Sequence, residues 1–147
     1  MMENYSDPQM QALTQAVVQY LDEWKISPEE MLGLLGLGQE VRPRHLVSYR
    51  KGDKVFPQTE EVMQRIGHIV GISDALRTTF PFSSQMRVLW LQKPHRRFQR
   101  RTPLAVMLAE GMDGLQRVRI EVDCAYGYAI NDALHAKQVQ EARKNAG

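Results

Sequence analysis

Apolar residues in this chain recur at three- and four-residue steps from end to end, and no segment alternates convincingly every second residue. That spacing is the period of a helix with one buried stripe, and it predicts an all-α protein. The first stripe is Leu13, Ala16, Val17, Tyr20, Leu21 and Trp24. It places a helix over residues 8–24, with Pro8 in the first turn and Asp7 as its cap. With 147 residues, 43% hydrophobic and 24% charged, the chain can bury a core without disulfide or metal staples.

Local signals divide the rest into further helices. Ser27-Pro28-Glu29-Glu30 has the order of a capping box: a Ser cap, Pro at the first helical position, and Glu three residues after the cap. Met31, Leu32, Leu34 and Leu35 follow, and Gly36-Leu37-Gly38 suits a left-handed stop. A short helix is expected over about 42–50, ended by Gly52. A longer one begins at Pro57-Gln58-Thr59-Glu60 and runs to about Thr79, with a break expected near Gly71. Residues 83–91 form another, with Met86, Leu89 and Trp90 apolar. Lys93–Arg101 holds five bases and no acid and is expected to be an exposed loop. Thr102-Pro103 opens a helix that Gly111 ends. Gly114 or Leu115 opens the last one, which Gly127 interrupts and which frays from Lys137. The expected organisation is an N-terminal helical domain at 1–80 packed on a smaller C-terminal helical domain at 81–147.

Several functional classes are disfavoured. The single cysteine, Cys124, allows neither an intrachain disulfide nor a cysteine zinc cluster, and its place in an apolar stripe suggests a buried thiol. The first ten residues carry Glu3 and Asp7 and no basic segment, unlike a secretory signal. No apolar stretch approaches the roughly 20 residues that span a bilayer. A reducing cytoplasm and no membrane association are therefore expected. His45, His68, His95 and His135 are scattered, without a metal-binding pair. No phosphate-cradling Gly-rich loop or Gly-x-Ser-x-Gly is present. The expectation is a protein that is not an enzyme and uses neither metal nor cofactor.

Charge is distributed unevenly. Residues 1–41 hold one base, Lys25, and seven acids, whereas residues 42–147 hold 18 bases and 10 acids. An Arg-rich remainder suits a polyanionic partner; a solvated mixed-charge surface is the alternative. The two helices either side of Gly36-Leu37-Gly38 have the order of a helix-turn-helix, whose second helix enters the major groove. On that reading Arg42, Arg44, His45 and Ser48 face bases, while Tyr49, Arg50, Lys51 and Lys54 hold phosphates. The competing reading is a helical hairpin with a charged outer face. The basic loop could likewise grip phosphates, grip an acidic protein, or be a solvated connection.

Leu89-Trp90-Leu91, Pro94, Phe98, Thr102-Pro103-Leu104, Met107-Leu108, Gly111, Gly114-Leu115, Val118-Arg119 and Ala125-Tyr126-Gly127-Tyr128-Ala129 follow one another in order. This series resembles the C-terminal toxin-binding domain of the Xre/MbcA/ParS antitoxin family. Trp24, Gly52 and the Leu76-Arg77…Phe80-Pro81 join resemble the Xre-type helix-turn-helix of the same antitoxins. Together they cover about residues 20–130. The resemblance implies a type II antitoxin that covers the active site of a RES-domain, NAD-degrading toxin and represses its own operon by binding promoter DNA, usually as a homodimer. It implies toxin contact near Thr102, Pro103, Leu104, Tyr126, Gly127, Tyr128, Asn131 and Asp132. A stand-alone helix-turn-helix regulator without a toxin is the alternative. Two departures stand out. The family usually has glycine before Thr-Pro-Leu, where this chain has Gln99-Arg100-Arg101, and this chain runs about 18 residues past the usual end.

Overall fold

A computed structural model describes residues 5–146, with the side chains of 126, 128–133 and 146 outside that description. Every regular element among the described residues is helical: α1 Asp7–Glu23, α2 Pro28–Leu35, α3 Leu46–Lys51, α4 Glu60–Thr79, α5 Ser84–Gln92 and α6 Pro103–Ala146. Single 3-10 turns at Pro43–His45 and Arg96–Phe98 complete the set. The all-α expectation holds.

The helix starts follow from side-chain caps. Ser27 accepts a hydrogen bond from the Glu30 amide, and Glu30 reaches back to the Ser27 amide. This satisfies two of the amides that a helix start leaves open. The same device begins α1, where the cap is Ser6 with Gln9 rather than the expected Asp7. Asp7 instead supplies charge in the first turn. Thr59 and Ser83 cap α4 and α5.

Three breaks expected from glycine or polarity are absent. α4 runs unbroken through Gly71. The final helix passes Gly127 and stays helical to Ala146, without the expected fraying from Lys137. The one true interruption in α6 is Gly111, at φ 61° and ψ −130°, a conformation open in practice to glycine. It divides α6 into a first arm, 103–110, and a second arm, 112–146.

The core is a single cluster. Val17 and Leu21 of α1, with Trp24 just beyond its end, meet Leu32 and Leu35 of α2, Ile66, Ile69, Ile72 and Leu76 of α4, Leu91 of α5, and Val106, Leu115, Val118 and Val122 of α6. The most extensive helix pairing is α4 with α6. The core therefore runs across the connection at 80–83. Truncating a fully buried member such as Ile72 should cost about 2–5 kcal/mol, because the site cannot collapse fully around the lost atoms. Cys124, expected to be buried, is exposed: the buried stripe of the second arm follows Leu115, Val118 and Val122 and turns away from it.

Candidate functional site

The segment made of α2, the turn at Gly36 and α3 is held by its ends. Gly36 ends α2 in the left-handed region, at φ 74°. Arg65 of α4 then closes the helix end: Nη1 donates to the Leu34 carbonyl at 3.2 Å, and the guanidinium pairs with Glu61 at 3.2 Å. A cation at this end also meets the negative pole of the helix. Leu37 is buried and its amide donates to the Leu32 carbonyl. The turn then delivers Pro43–His45 and α3. Gly52, at φ 85°, ends α3. Gln11 donates to the Gly52 carbonyl at 3.0 Å and Gln15 to the Arg50 carbonyl at 3.3 Å, fastening α3 to α1.

This framework sorts the predicted DNA-facing residues. Arg42, Arg44, Lys51 and Lys54 are exposed, and His45 and Ser48 are half-buried. Arg50 is exposed but engaged, with Nη2 at 2.8 Å and Nε at 3.0 Å from the Asp22 carboxylate. Tyr49 overturns its expected place on the surface. It is buried beneath α3 and stacked on Phe56 at 4.8 Å, and burial raises its phenol pKa. Its spacing from Leu46 already pointed inward: three residues apart on a helix is one face.

The predicted toxin-facing residues separate in the same way. Thr102 Oγ1 accepts from the Ala105 amide at 3.0 Å and so caps α6. Pro103 is buried, which removes it from the predicted contact surface, and Leu104 is half-buried against the core. Capping and core packing account for both residue types without a partner. Gly127 is exposed on the helix. The side chains of Tyr126, Tyr128, Asn131 and Asp132 lie outside the described residues.

Sequence reasoning missed the exposed apolar side chains on α5 and just before it. Phe82 is fully exposed, Met86 is 45% exposed and Leu89 is 51% exposed, while within α5 only Leu91 is buried. Phe80, Met86, Leu89 and Trp90 line a shallow groove with Lys93 and His95. Ile120, 64% exposed, adds an apolar site on the second arm of α6. Periodicity finds such residues but cannot say which stripe lacks a neighbour.

Helix α5 is tied to the end of α1. Arg87 Nε lies 2.7 Å from Glu23 Oε1, and Arg77 Nη2 lies 3.3 Å from Glu23 Oε2. Burial pushes the Glu23 carboxyl up, but the hydrogen bonds and charges of Arg87 and Arg77 outweigh it and hold the pKa below the ordinary value. Arg77 also stacks over the Tyr20 ring at 4.5 Å. Gln92 donates to the Trp24 carbonyl at 2.9 Å.

The basic segment is a tight structured turn rather than a loose loop. His95 and Arg101 form an antiparallel bridge, and Phe98 between them is buried. Arg101 pairs with Glu110 at 2.8 Å, beside the Arg117–Glu110 pair at 2.6 Å. Hydrogen bonds from Arg117 and Arg101 lower the Glu110 pKa. Gln99 and Arg100 sit in the left-handed region, at φ 52° and 65°. These are the positions for which glycine is the unstrained choice.

The described residues contain no group of three metal-ligating side chains and no helix long and apolar enough to cross a membrane. No curated protein matches the chain. A family model does: residues 75–125 match the antitoxin Xre/MbcA/ParS C-terminal toxin-binding domain. The matched segment runs from the end of α4, through α5 and the basic turn, into the second arm of α6. It is about a third of the chain, and this C-terminal part is similar to the toxin-binding domain of those antitoxins.

Proposed function

We propose that this protein is an antitoxin without catalytic activity. Its C-terminal helices bind and block a RES-domain, NAD-degrading toxin, and its N-terminal helix-turn-helix binds the promoter of its own operon as a homodimer. The carrying observation is the match of residues 75–125 to a toxin-binding domain. That segment also holds the exposed apolar side chains Phe82, Met86, Leu89 and Ile120. Exposed apolar side chains of this kind suit a protein interface.

The DNA reading rests on α2, the turn at Gly36 and α3, with Arg42 and Arg44 exposed at the start of the second helical segment. In a helix-turn-helix the N-terminal residues of the second helix contact base edges. Arg presents the paired donors that match guanine.

Affinity capture of the tagged protein from its native host, with mass spectrometry of co-eluting proteins, tests the proposal. A stoichiometric partner that consumes NAD once freed is the expected result. Recovery of the protein alone, still able to bind its promoter, would replace the antitoxin reading with a stand-alone regulator.

A further inference from the structure

We infer that the basic turn between α5 and α6 is a second phosphate-binding element, in which Lys93, Arg96 and Arg100 extend the DNA contact of the helix-turn-helix along the nucleic-acid backbone. The inference rests on the DNA reading proposed above. It starts from a shortage of cations: residues 1–41, which include α1 and α2, hold Lys25 as their one base against seven acids. Glu29 stands exposed in the first turn of α2. In a helix-turn-helix the first helix crosses the phosphate backbone. An acidic surface there is repelled by DNA unless cations are supplied from elsewhere, because backbone affinity comes from Lys and Arg that displace counterions.

The basic turn is placed to supply them. Gln92, the last residue of α5, donates to the carbonyls of Trp24 at 2.9 Å and Lys25 at 3.4 Å. Trp24 and Lys25 belong to the short connection that leads directly into α2. Lys93 therefore follows a residue bound at the entrance of the helix-turn-helix. From there the chain folds back on itself: the Arg100 amide donates to the His95 carbonyl at 3.0 Å and the Gln99 amide to the Arg96 carbonyl at 3.1 Å. Arg96 and Arg100 are thus held on one tight turn, anchored by buried Phe98.

The cations of this turn have two fates. Arg101 is paired with Glu110 and Arg97 with Glu121. Lys93, Arg96 and Arg100 are exposed, and their side chains make no ion pair or hydrogen bond among the described residues. Arg100 additionally occupies a left-handed conformation that an L residue adopts at a cost. Rigid presentation of unpaired cations lowers the ordering entropy that phosphate binding must overcome. An acidic protein surface would use the same charges. DNA is favoured because the turn abuts the entrance to the helix-turn-helix and because α1 and α2 lack cations of their own.

The test is the salt dependence of binding to a DNA duplex of about 30 base pairs, measured by fluorescence anisotropy. The proteins are the wild type, Arg44→Ala, and the triple variant Lys93→Gln/Arg96→Gln/Arg100→Asn. Each phosphate contact contributes about 0.9 to the slope of log K against log salt. The triple variant should therefore lose about 2–3 from the magnitude of that slope and bind at least about tenfold more weakly near 0.1 M salt. The charge-keeping double variant Lys93→Arg/Arg96→Lys should retain the wild-type slope, and unchanged thermal unfolding verifies that the fold is intact. A triple variant with the wild-type slope, alongside Arg44→Ala that binds weakly, overturns the inference and leaves the DNA reading standing. A wild type that binds no duplex overturns both. A triple variant that keeps its DNA affinity but loses a protein partner overturns the inference and assigns the turn to an acidic protein surface.

Discussion

Gly114 and Val106 meet backbone to backbone across the reversal at Gly111. The Val106 carbonyl oxygen occupies the space a Cβ on Gly114 would need, and the Met107 Cα would lie 3.0 Å from it. Both neighbours are main-chain atoms of a helix and have no side-chain freedom with which to yield. The two arms of α6 approach this closely because residue 114 lacks a side chain. Gly114→Ala should therefore destabilise the protein by about 1–3 kcal/mol through overpacking, lowering Tm by several degrees. Gly127→Ala is the matched control, since no atom of the described residues lies within 4 Å of its Cβ. It should be neutral or raise stability by up to about 1 kcal/mol through helix propensity. Equal melting curves for the two variants would refute the close-approach explanation.

These glycines also show what the sequence made legible. Gly36 and Gly52 read correctly as helix ends because each follows a short amphipathic run and both adopt positive φ. Gly71 and Gly127 carried the same local signal and proved to be helix interior. At Gly71 the reason is tertiary: a Cβ would stand 2.5 Å from Arg119 Nε, whose guanidinium crosses α4 there. No local pattern encodes that neighbour. Ser27-Pro28-Glu29-Glu30 was legible because a capping box is contained in four consecutive residues. The structured form of the basic turn is not legible, because a single buried anchor, Phe98, in a non-helical segment has no period to reveal it. Of the candidate site, exposed Arg42 and Arg44 were legible, whereas the open apolar face of α5 depends on which helices leave it uncovered.

The left-handed pair at Gln99 and Arg100 leads to a stabilising substitution. Gln99 has φ 52° and ψ 43°, where a Cβ costs roughly 1 kcal/mol relative to glycine. Gln99→Gly removes that cost, while the added freedom of the unfolded chain returns part of it. The expected net gain is a few tenths to about 1 kcal/mol, read as a raised denaturant midpoint at unchanged m-value. Because Gln99 carries no charge, the salt slope of DNA binding should not change. A loss of stability would show that its side chain contributes to the turn.

His68 and Arg119 make the contact between α4 and α6 sensitive to acid. Arg119 Nη1 lies 3.3 Å from His68 Nδ1 and 3.4 Å from the Gly67 carbonyl. Burial lowers the His68 pKa, and the neighbouring Arg119 charge lowers it further. A depressed folded-state pKa means the unfolded chain takes up the proton first. The associated stability is present above the unfolded value near 6.5 and is lost as pH falls toward the lower folded value. Wild-type Tm should fall between pH 7.5 and 5.5 by more than that of His68→Gln, which cannot titrate. Parallel pH profiles would exclude His68 as the source.

Arg44 and Arg50 are two arginines of one helical segment with different surroundings, and this separates their roles. Arg44 is exposed near the start of the segment, whereas Arg50 is held by Asp22. Arg44→Ala should weaken specific promoter binding by about 1–3 kcal/mol, with no change in Tm. The Arg50–Asp22 pair is largely solvent-exposed, so its stability contribution is limited to about 0–1 kcal/mol. Arg50→Ala should therefore cost little stability and less promoter affinity than Arg44→Ala. The reverse order in a titration at fixed salt would move the base-reading face from the start of the segment to its end.

Truncation after Ala129 addresses the other proposed interface. Residues 134–145 are exposed on the second arm of α6, and among the described residues the last buried one on that arm is Val122. Removing the segment beyond 129 takes away no core side chain among the described residues, so Tm should change little. The segment extends the second arm with no described core packing of its own, and most helical stability comes from such packing, so a partner is what would best repay its ordering. If it occupies the toxin's pocket, the truncated protein should still bind the toxin through α5 and the first part of α6 but no longer suppress NAD loss. Full suppression of NAD loss by the truncated protein would place the inhibitory contact within residues 1–129.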